Sequence, residues 1–331
     1  MRRLIRRISI YLLAIWAAVT INFFLPRMAP GDPAKALFFR LSQHGYVSPT
    51  YLQALENEFG LNTTDPLWLQ YLKYLNNLLH GNLGVSISAY PATVAQVINQ
   101  DIRWTLVLLS VSVLISFVAG TLIGVLMAWT RGSSLDTTLS SVMTFLYSIL
   151  YPWLALLVVY FIGFKAGWLP FSDGYDLRLT PGWSLDFILS AAQHAILPAF
   201  TIVISTVAGW MLTMRNSMIT TLSEDYITMA RAKGLTTRRV MFAYAARNAV
   251  LPSVTGFAIA IGSVVGGQLL VEIVFSYPGI GFALYQGILN QDYALADGIL
   301  LLVIIATVVM NLIVDLLYTV LDPRTRQERS A

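Results

Sequence analysis

Residues 104–129 read WTLVLLSVSVLISFVAGTLIGVLMAW, a run of 26 residues without one charged side chain. A helix needs about 20 mostly apolar residues to cross the hydrocarbon core of a bilayer, so this run is long enough to span it. It is too long for a strand, and a helix satisfies its own backbone hydrogen bonds in lipid. The stretch therefore predicts a transmembrane helix.

Five further stretches have the same character. The six predicted spans are Ile8–Leu25, Trp104–Trp129, Val142–Phe164, Ala195–Met214, Ala249–Phe275 and Ala296–Val320. Of the 331 residues, 56% are hydrophobic and only 11% charged, whereas roughly a quarter of an average soluble domain is charged. We therefore predict an all-α membrane protein with six transmembrane helices.

The first span follows Arg2, Arg3, Arg6 and Arg7, as the core of a secretory signal would. Its 18 residues exceed the core of about 7–15 residues that is typical of signals, which favours an uncleaved anchor. With the N-terminus placed in the cytoplasm, fourteen of the 21 lysines and arginines lie on the inner side. Because basic residues concentrate in cytoplasmic loops, we predict that both termini are cytoplasmic.

Charge and composition exclude several classes of site. The net charge of +4 is not gathered into a basic stripe with interleaved aromatic residues, which argues against nucleic-acid binding. The chain has no cysteine, and its three histidines, His44, His80 and His194, stand singly. We therefore predict neither a metal site nor a catalytic site.

The spans divide the chain into four predicted segments. Residues 1–25 form the basic segment with the first span, residues 26–103 a small extracellular helical subdomain, residues 104–320 the transmembrane core and residues 321–331 a tail. Within the outer subdomain, Pro49–Phe59 and Pro66–Leu79 have the pattern of helices. A long cytoplasmic loop at residues 215–248 interrupts the core.

This inner loop predicts a short helix from Ser223 to Gly234, since glycine suits the left-handed conformation at a helix C-terminus. Acidic residues fall in its first turn and basic residues in its last, which complements the helix dipole. The helical spacing predicts one apolar edge, formed by Leu222, Tyr226, Met229 and Ala230. Thr236 and Thr237 offer an N-cap for a second helix over Arg238–Leu251. Two interpretations remain open: a loop that binds anionic lipid, or a docking element for a cytoplasmic partner.

The sequence DYITMARAKGL at residues 225–235, followed by RNAVLP at residues 247–252, resembles the EAA loop of ABC importer permeases. The similarity is greatest to the B-type subunit of the dipeptide/oligopeptide permease family. Four other segments agree in order: APGDP at 29–33, GNLGVS at 81–86, FSYPGIG at 275–281 and DPR at 322–324. One departure is Met229, which stands where the family motif has a small residue.

The resemblance implies a type I importer permease fold in a prokaryotic inner or plasma membrane. It implies that the short helix couples to an ATPase subunit and that the spans move by alternating access. The coupling residues carried over by position are Glu224, Asp225, Tyr226, Thr228, Met229, Ala230, Arg231, Ala232, Lys233, Gly234 and Leu235. It further implies four kinds of partner: a second homologous permease, two ATP-binding cassette ATPases, an extracellular substrate-binding protein and lipid. The sequence holds no Gly-x-x-x-x-Gly-Lys-Ser/Thr phosphate loop, so ATP and magnesium are expected on the ATPase subunits and no cofactor on this chain.

Polar residues at membrane depth are candidates for contact with the transported solute. Those expected to line the pathway are Ser205, Ser263, Gln268 and Asn311. Most serines and threonines in spans instead bond within their helix or join neighbouring helices.

Peptides are the cargo that the resemblance implies, with oligosaccharides, nickel complexes and other small solutes as alternatives within the family. An ion-coupled secondary transporter would need acidic residues within its spans, which are nearly uncharged here. An intramembrane protease would need a nucleophile elbow or paired aspartates, which the sequence does not offer.

Overall fold

The computed structural model describes the backbone of residues 2–28, 66–262 and 268–321, and the side chains of residues 9–24, 66–261 and 268–313. Regular structure in these ranges is helical, apart from an isolated β-bridge between Val85 and Thr93. The all-α class is therefore confirmed. The predicted helix over Pro49–Phe59 lies outside the described residues.

The helices are numbered here in chain order. They are α1 (Arg2–Met28), α2 (Leu67–Leu79), α3 (Val94–Trp129), α4 (Ser134–Ser148), α5 (Tyr151–Val158), α6 (Leu185–Leu222), α7 (Asp225–Ala232), α8 (Thr237–Arg239), α9 (Arg247–Ala249), α10 (Leu251–Gly262), α11 (Leu269–Val274), α12 (Ile280–Leu289) and α13 (Tyr293–Leu321). Two segments wind as π-helix: Val159–Lys165 directly after α5, and Val240–Ala246 between α8 and α9.

Among the described residues, three helices are long and apolar enough to cross a membrane: α3, α6 and the Tyr293–Ile313 part of α13. The first two contain the predicted second and fourth spans, and the third overlaps the predicted sixth span, Ala296–Val320. A fourth candidate is the pair of helices Ser134–Ser148 and Tyr151–Lys165, counted as one bent span. A shorter apolar helix at Ser9–Phe24 lies within the predicted first span, and one at Leu251–Ile261 covers only the first part of the predicted fifth span, Ala249–Phe275.

The third predicted span, Val142–Phe164, is not one straight helix as the apolar pattern indicates. It is made by the end of α4 and by α5 with its π-helical continuation, and the two helices meet at an angle of 99°. Pro152 explains the break, because its ring would clash with the carbonyl of residue 148, which is where α4 ends. The proline instead occupies the first turn of α5, where no N–H group is needed.

The described chain forms two compact units, which are treated separately below: Met1–Thr105 with Pro278–Ala331, and Leu106–Tyr277. In the first unit, α1 packs along α13. The Nδ2 of Asn22 donates to the carbonyl of Asp297 at 2.9 Å. Phe23 is fully buried and meets the ring of Tyr71 edge-on, with centroids 5.1 Å apart. Helix α2 of the predicted outer subdomain is thereby held against α1.

A buried carboxylate joins the GNLGVS segment to the start of α13. Asp292 is 0% exposed, and its Oδ2 accepts hydrogen bonds from the hydroxyl of Ser86 (2.5 Å) and from the hydroxyl and N–H of Ser88 (2.8 Å each). Its Oδ1 accepts from the N–H of Leu295 at 3.1 Å and so caps α13. Gly84, at a φ of +87°, turns the GNLGVS segment towards this carboxylate. The motif therefore has a structural role in this unit.

In the second unit, α3 and α6 approach closely at two glycines. A Cβ atom at Gly120 would lie 2.7 Å from the carbonyl oxygen of Val207, and one at Gly124 would lie 2.5 Å from that of Met211. The spacing Gly-x-x-x-Gly is typical of close helix contacts in membranes. A different face of α3 carries an exposed apolar stripe of the kind that lipid covers, formed by Val107, Val111, Leu114, Val118 and Leu122.

Candidate functional site

The predicted inner loop forms a helical elbow, defined here as residues 223–249. Helix α6 ends at Leu222, and Glu224 has an extended backbone and is the N-cap residue of α7. Asp225 lies in the first turn of α7 and Arg231 in its last, as the helix dipole favours. After Gly234 the chain continues through α8, the π-helical segment and α9. The predicted pair of helices is therefore present in the elbow, but the second, predicted over Arg238–Leu251, winds as π-helix over Val240–Ala246 and ends at Ala249.

Glycine at position 234 ends α7 in the manner that the sequence predicts. Its φ is +74°, a conformation that costs residues with a Cβ atom roughly 1–2 kcal/mol. The N–H of Gly234 donates to the carbonyl of Arg231 at 2.9 Å, and the N–H of Leu235 donates to that of Ala230 at 3.4 Å. These two bonds satisfy carbonyl groups that the end of a helix otherwise leaves open.

The inner edge of α7 is part of the core of this unit. Ile227 is 0% exposed and Ala230 is 3% exposed. They pack in one cluster with residues from the end of α3, from α6 and from the second half of the elbow: Val125, Ala128, Met214, Met218, Val240, Met241, Ala245 and Ala249. The elbow is therefore fastened to the ends of two long helices.

The predicted apolar edge of α7 is partly wrong. Leu222 and Ala230 face the core, but Tyr226 and Met229 are exposed, at 38% and 60%. An eight-residue helix with apolar residues at 226, 227, 229 and 230 has more than one possible apolar edge, and packing against α3 and α6 selects Ile227 with Ala230.

Two polar contacts fix the rest of α7. The Nδ2 of Asn248 donates to the hydroxyl of Tyr226 at 2.9 Å, which joins α7 to α9. The guanidinium of Arg231 lies 5.5 Å from the ring centroid of Trp129, the last residue of α3. Cation–π contacts of this kind contribute about 0.5–1 kcal/mol at exposed sites. The remaining face of α7, with Thr228, Met229, Ala232 and Lys233, is exposed.

An ion pair close to the elbow was not anticipated from the sequence. The Nε of Arg215 lies 2.6 Å from Oδ1 of Asp136, and its Nη2 lies 2.8 Å from Oδ2. Asp136 also accepts from the N–H of Gly132 at 3.2 Å, and its own N–H donates to the hydroxyl of Ser133, the N-cap residue of α4. This two-point pair joins the start of α4 to α6.

A cleft of about 250 Å³ lies where α4 breaks from α5. It is lined by Tyr147, Ser148, Ile149, Leu150, Tyr151, Ser205, Thr206 and Gln268. The structure thus brings together Ser205 and Gln268, two of the four predicted pathway residues. Asn311 lies exposed on α13 in the other unit, and Ser263 lies outside the described residues.

Residues 120–327 match the family described as "Binding-protein-dependent transport system inner membrane component". The matched range includes the elbow, the Asp136–Arg215 pair and the cleft. The chain belongs to this family. It is therefore a multi-pass inner-membrane component, and its fold is that of a type I importer permease.

Relatives of this inner membrane component are similar over nearly their whole length. The di/tripeptide transport system permease protein DppB of Pseudomonas aeruginosa is 33% identical, with 98% of each chain covered. The oligopeptide transport system permease protein AppB of Bacillus subtilis is 32% identical, covering 97% of this chain and 98% of its own. The dipeptide transport system permease protein DppB of Escherichia coli K12 is 32% identical, covering 98% and 99%. The resemblance to peptide permeases that the motifs carry is thus confirmed.

Within this binding-protein-dependent permease, the predicted coupling residues differ in exposure. Ala230 is buried in the core beneath the elbow and offers no free surface to a partner, whereas Leu235 is half-buried there. Glu224, Asp225, Tyr226, Thr228, Met229, Arg231, Ala232, Lys233 and Gly234 are exposed.

Two features of the permease were missed that the sequence does signal. The Gly120-x-x-x-Gly124 spacing is a recognised pattern for close helix packing in membranes. Asp136 and Arg215 each stand beside a predicted span, where a charge requires either water or a partner. Their pairing across 79 residues of sequence was not readable from local pattern.

Proposed function

We propose that this chain is one of two homologous permease subunits of an ATP-driven peptide importer. It forms half of the pathway, and its elbow docks onto an ATPase subunit on the cytoplasmic side. ATP and magnesium are bound and hydrolysis occurs on that partner, and a substrate-binding protein delivers the peptide from outside. Both termini of this chain lie in the cytoplasm.

The observation that carries the docking proposal is the division of α7 into two faces. Its inner edge, Ile227 and Ala230, is held in the core of this chain. Its outer face presents Met229 at 60% exposure with Ala232 and Lys233 beside it. An exposed apolar side chain on an anchored helix suits a groove on a partner. A loop that bound anionic lipid through its basic residues alone would gain nothing from the exposed methionine.

Peptides are proposed as the cargo because relatives similar over nearly the whole chain are named as permeases of di/tripeptides, oligopeptides and dipeptides. Assignment of ATP hydrolysis to a partner is supported by the lack of a phosphate-loop motif in this sequence. The basic residues that favour the inner side support the orientation.

The test uses the complex purified from its native membrane through a tag on this chain and reconstituted in vesicles. We expect uptake of a labelled tripeptide only with ATP and the binding protein present. Uptake by this chain alone, driven by an ion gradient, would contradict the proposal. So would a reconstituted complex that imports an oligosaccharide or a nickel complex but no peptide.

The elbow is tested by Met229→Glu and Ala232→Glu, which place a charge on the outer face of α7. We expect the ATPase subunits to co-purify at least tenfold less well, while the amount of this chain in the membrane is unchanged. The matched control is Ala89→Glu, an exposed alanine outside the elbow. Normal co-purification with both elbow variants would exclude the outer face of α7 from the ATPase contact.

A further inference from the structure

The cleft at the break between α4 and α5 combines three irregular or mid-helix positions. Tyr147–Tyr151 surround the 99° bend. Ser205 and Thr206 lie near the midpoint of the 38-residue helix α6. Gln268 stands just before α11, with the non-helical backbone angles φ −134° and ψ 34°. These parts of the second unit meet at one place.

A broken helix at membrane depth needs a physical reason. Irregular backbone in the hydrocarbon region is tolerated only where protein covers it or where it lines a water-filled cavity. In many transporters, discontinuous helices near the midplane form the site for the solute. Ser205 lies at the middle of the predicted span Ala195–Met214, which places it near the midplane of the bilayer. The cleft therefore lies at the depth expected of a transport pathway.

The lining of the cleft mixes apolar surface, to which Ile149 and Leu150 contribute, with polar groups that carry no charge. Among the described residues that form it there are three aliphatic hydroxyls, two phenols and one amide, with no Asp, Glu, Lys, Arg or His. The hydroxyls of Ser205 and Ser148 donate to carbonyls of their own helices, Ile202 at 2.9 Å and Thr144 at 2.8 Å. Their donors are thus used, and their oxygen atoms keep lone pairs that accept hydrogen bonds.

Gln268 adds a side chain with both a donor and an acceptor. Its Oε1 is buried and accepts no hydrogen bond from the described residues. Burying an amide oxygen without a partner is unfavourable, so a rotation of the Gln268 side chain that pairs this oxygen with a donor in the cleft is favoured. The oxygen and nitrogen of an amide can exchange places by rotation, so Gln268 can also donate.

We propose that this cleft contacts the main-chain amide groups of the peptide as it crosses the membrane, through neutral hydrogen bonds from N–H groups to the hydroxyl oxygens and Gln268. The inference rests on the proposed function and names the surface that performs it. A peptide main chain offers one N–H donor and one carbonyl acceptor per residue, whatever its side chains. At about 250 Å³, the cleft is smaller than the roughly 300–1,000 Å³ typical of sites that enclose a drug-sized ligand. It therefore covers one side of a peptide, as half of a shared pathway would.

The first test uses the fact that the chain has no cysteine. Ser205→Cys is compared with Ser217→Cys, a half-buried serine on the same helix that does not line the cleft. The probe is a tripeptide carrying a methanethiosulfonate group, supplied to the reconstituted complex with ATP and binding protein. We expect the rate of mixed-disulfide formation to be at least tenfold higher at position 205 than at position 217. An excess of unmodified tripeptide should slow the reaction at position 205.

Equal labelling at both positions, or labelling at 205 that excess tripeptide does not slow, would overturn the proposal. The wild-type chain controls for labelling of partner subunits. Failure of the proposed function and failure of the cleft proposal give different results. A wild-type complex without ATP-dependent peptide uptake refutes the proposed function. A transporting complex with no selective labelling at 205 refutes only the cleft.

The second test asks whether hydrogen bonds to the main chain matter. A tripeptide is compared with its backbone N-methylated analogue, and the binding protein's affinity for each is measured separately. With Gln268→Leu we expect the KM for uptake of the tripeptide to rise about 2- to 10-fold, the equivalent of one hydrogen bond, and the KM for the analogue to stay unchanged. A purely structural role would change both peptides alike or lower only the maximal rate, and that result would contradict the proposal.

Discussion

Asp136 is the single side chain on which the junction between α4 and α6 depends most. It is 3% exposed, and both of its oxygens bond to Arg215. The carboxylate also lies in the first turn of α4, where the helix dipole favours negative charge. A buried charge of this kind is tolerated because it is paired and hydrogen-bonded, and removal of either partner leaves the other without compensation.

We expect Asp136→Asn to lower the unfolding temperature of the purified complex by a few degrees. Breaking a fully buried pair costs roughly 3–5 kcal/mol, but 22% of the Arg215 side chain remains exposed, which moderates the loss to about 1–3 kcal/mol. Thermal unfolding of Asp136→Asn, Arg215→Gln and the double variant forms a double-mutant cycle, with an expected coupling of about 0.5–3 kcal/mol. Asp186→Asn, an exposed first-turn acid of α6, is the control. Strict additivity of the two single substitutions would show that the pair contributes nothing.

The close contact between helices α3 and α6 depends on the absence of side chains at Gly120 and Gly124. The backbone of α6 occupies the space that a Cβ at Gly120 or Gly124 would need. Gly256 of α10 packs instead against a side chain of α6, because a Cβ there would lie 3.2 Å from the ring of Trp210. Gly120 and Gly124 thus set how near α3 comes to α6.

We expect Gly124→Ala to destabilise the permease by about 1–3 kcal/mol, since a Cβ placed 2.5 Å from the Met211 carbonyl forces the helices apart. Gly209→Ala is the matched control, because its Cβ would meet only the ring of Tyr147 at an ordinary 3.4 Å. Alanine favours helix over glycine by about 1 kcal/mol, so the control should be neutral or stabilised. Thermal unfolding in detergent measures both, and an equal shift for the two variants would exclude close packing as the cause.

The positions of most elements could be predicted because apolar runs and helix-end signals are local. Gly234 ends α7 as predicted, since a left-handed residue after a helix needs no distant contact. The break before Pro152 was missed because the apolar run continues through it and outweighed the proline. The buried edge of α7 and the Asp136–Arg215 pair depend on residues distant in sequence, which a single sequence does not bring together.

For the whole molecule, orientation in the membrane follows from where its cations lie. Two thirds of the lysines and arginines fall on one side of the predicted spans, and that side is expected to face the cytoplasm. The elbow is on the same side, between the fourth and fifth predicted spans.

We expect a membrane-impermeant thiol reagent added to intact cells to label Gly182→Cys and not Thr228→Cys. Both positions are exposed, and the chain has no cysteine of its own. Position 182 lies between the third and fourth predicted spans, on the outer side, whereas position 228 lies in the elbow. Opening the cells and denaturing the complex, which removes the ATPase subunit from the elbow, should make Thr228→Cys reactive. Labelling of Thr228→Cys in sealed cells would show that the elbow lies outside. That result would contradict the predicted orientation and the proposed ATPase contact.

The burial of Ile227 and Ala230 among side chains from α3 and α6 has a mechanical consequence. For the elbow to move independently of α3 and α6, its apolar side chains would have to slide over theirs. Instead, the elbow shares one packed core with both helices. Interiors packed in this way have little compressibility. If the ATPase moves the elbow as proposed, α3 and α6 would be displaced together with it, and a substitution that loosens this interior is expected to allow ATP hydrolysis without import.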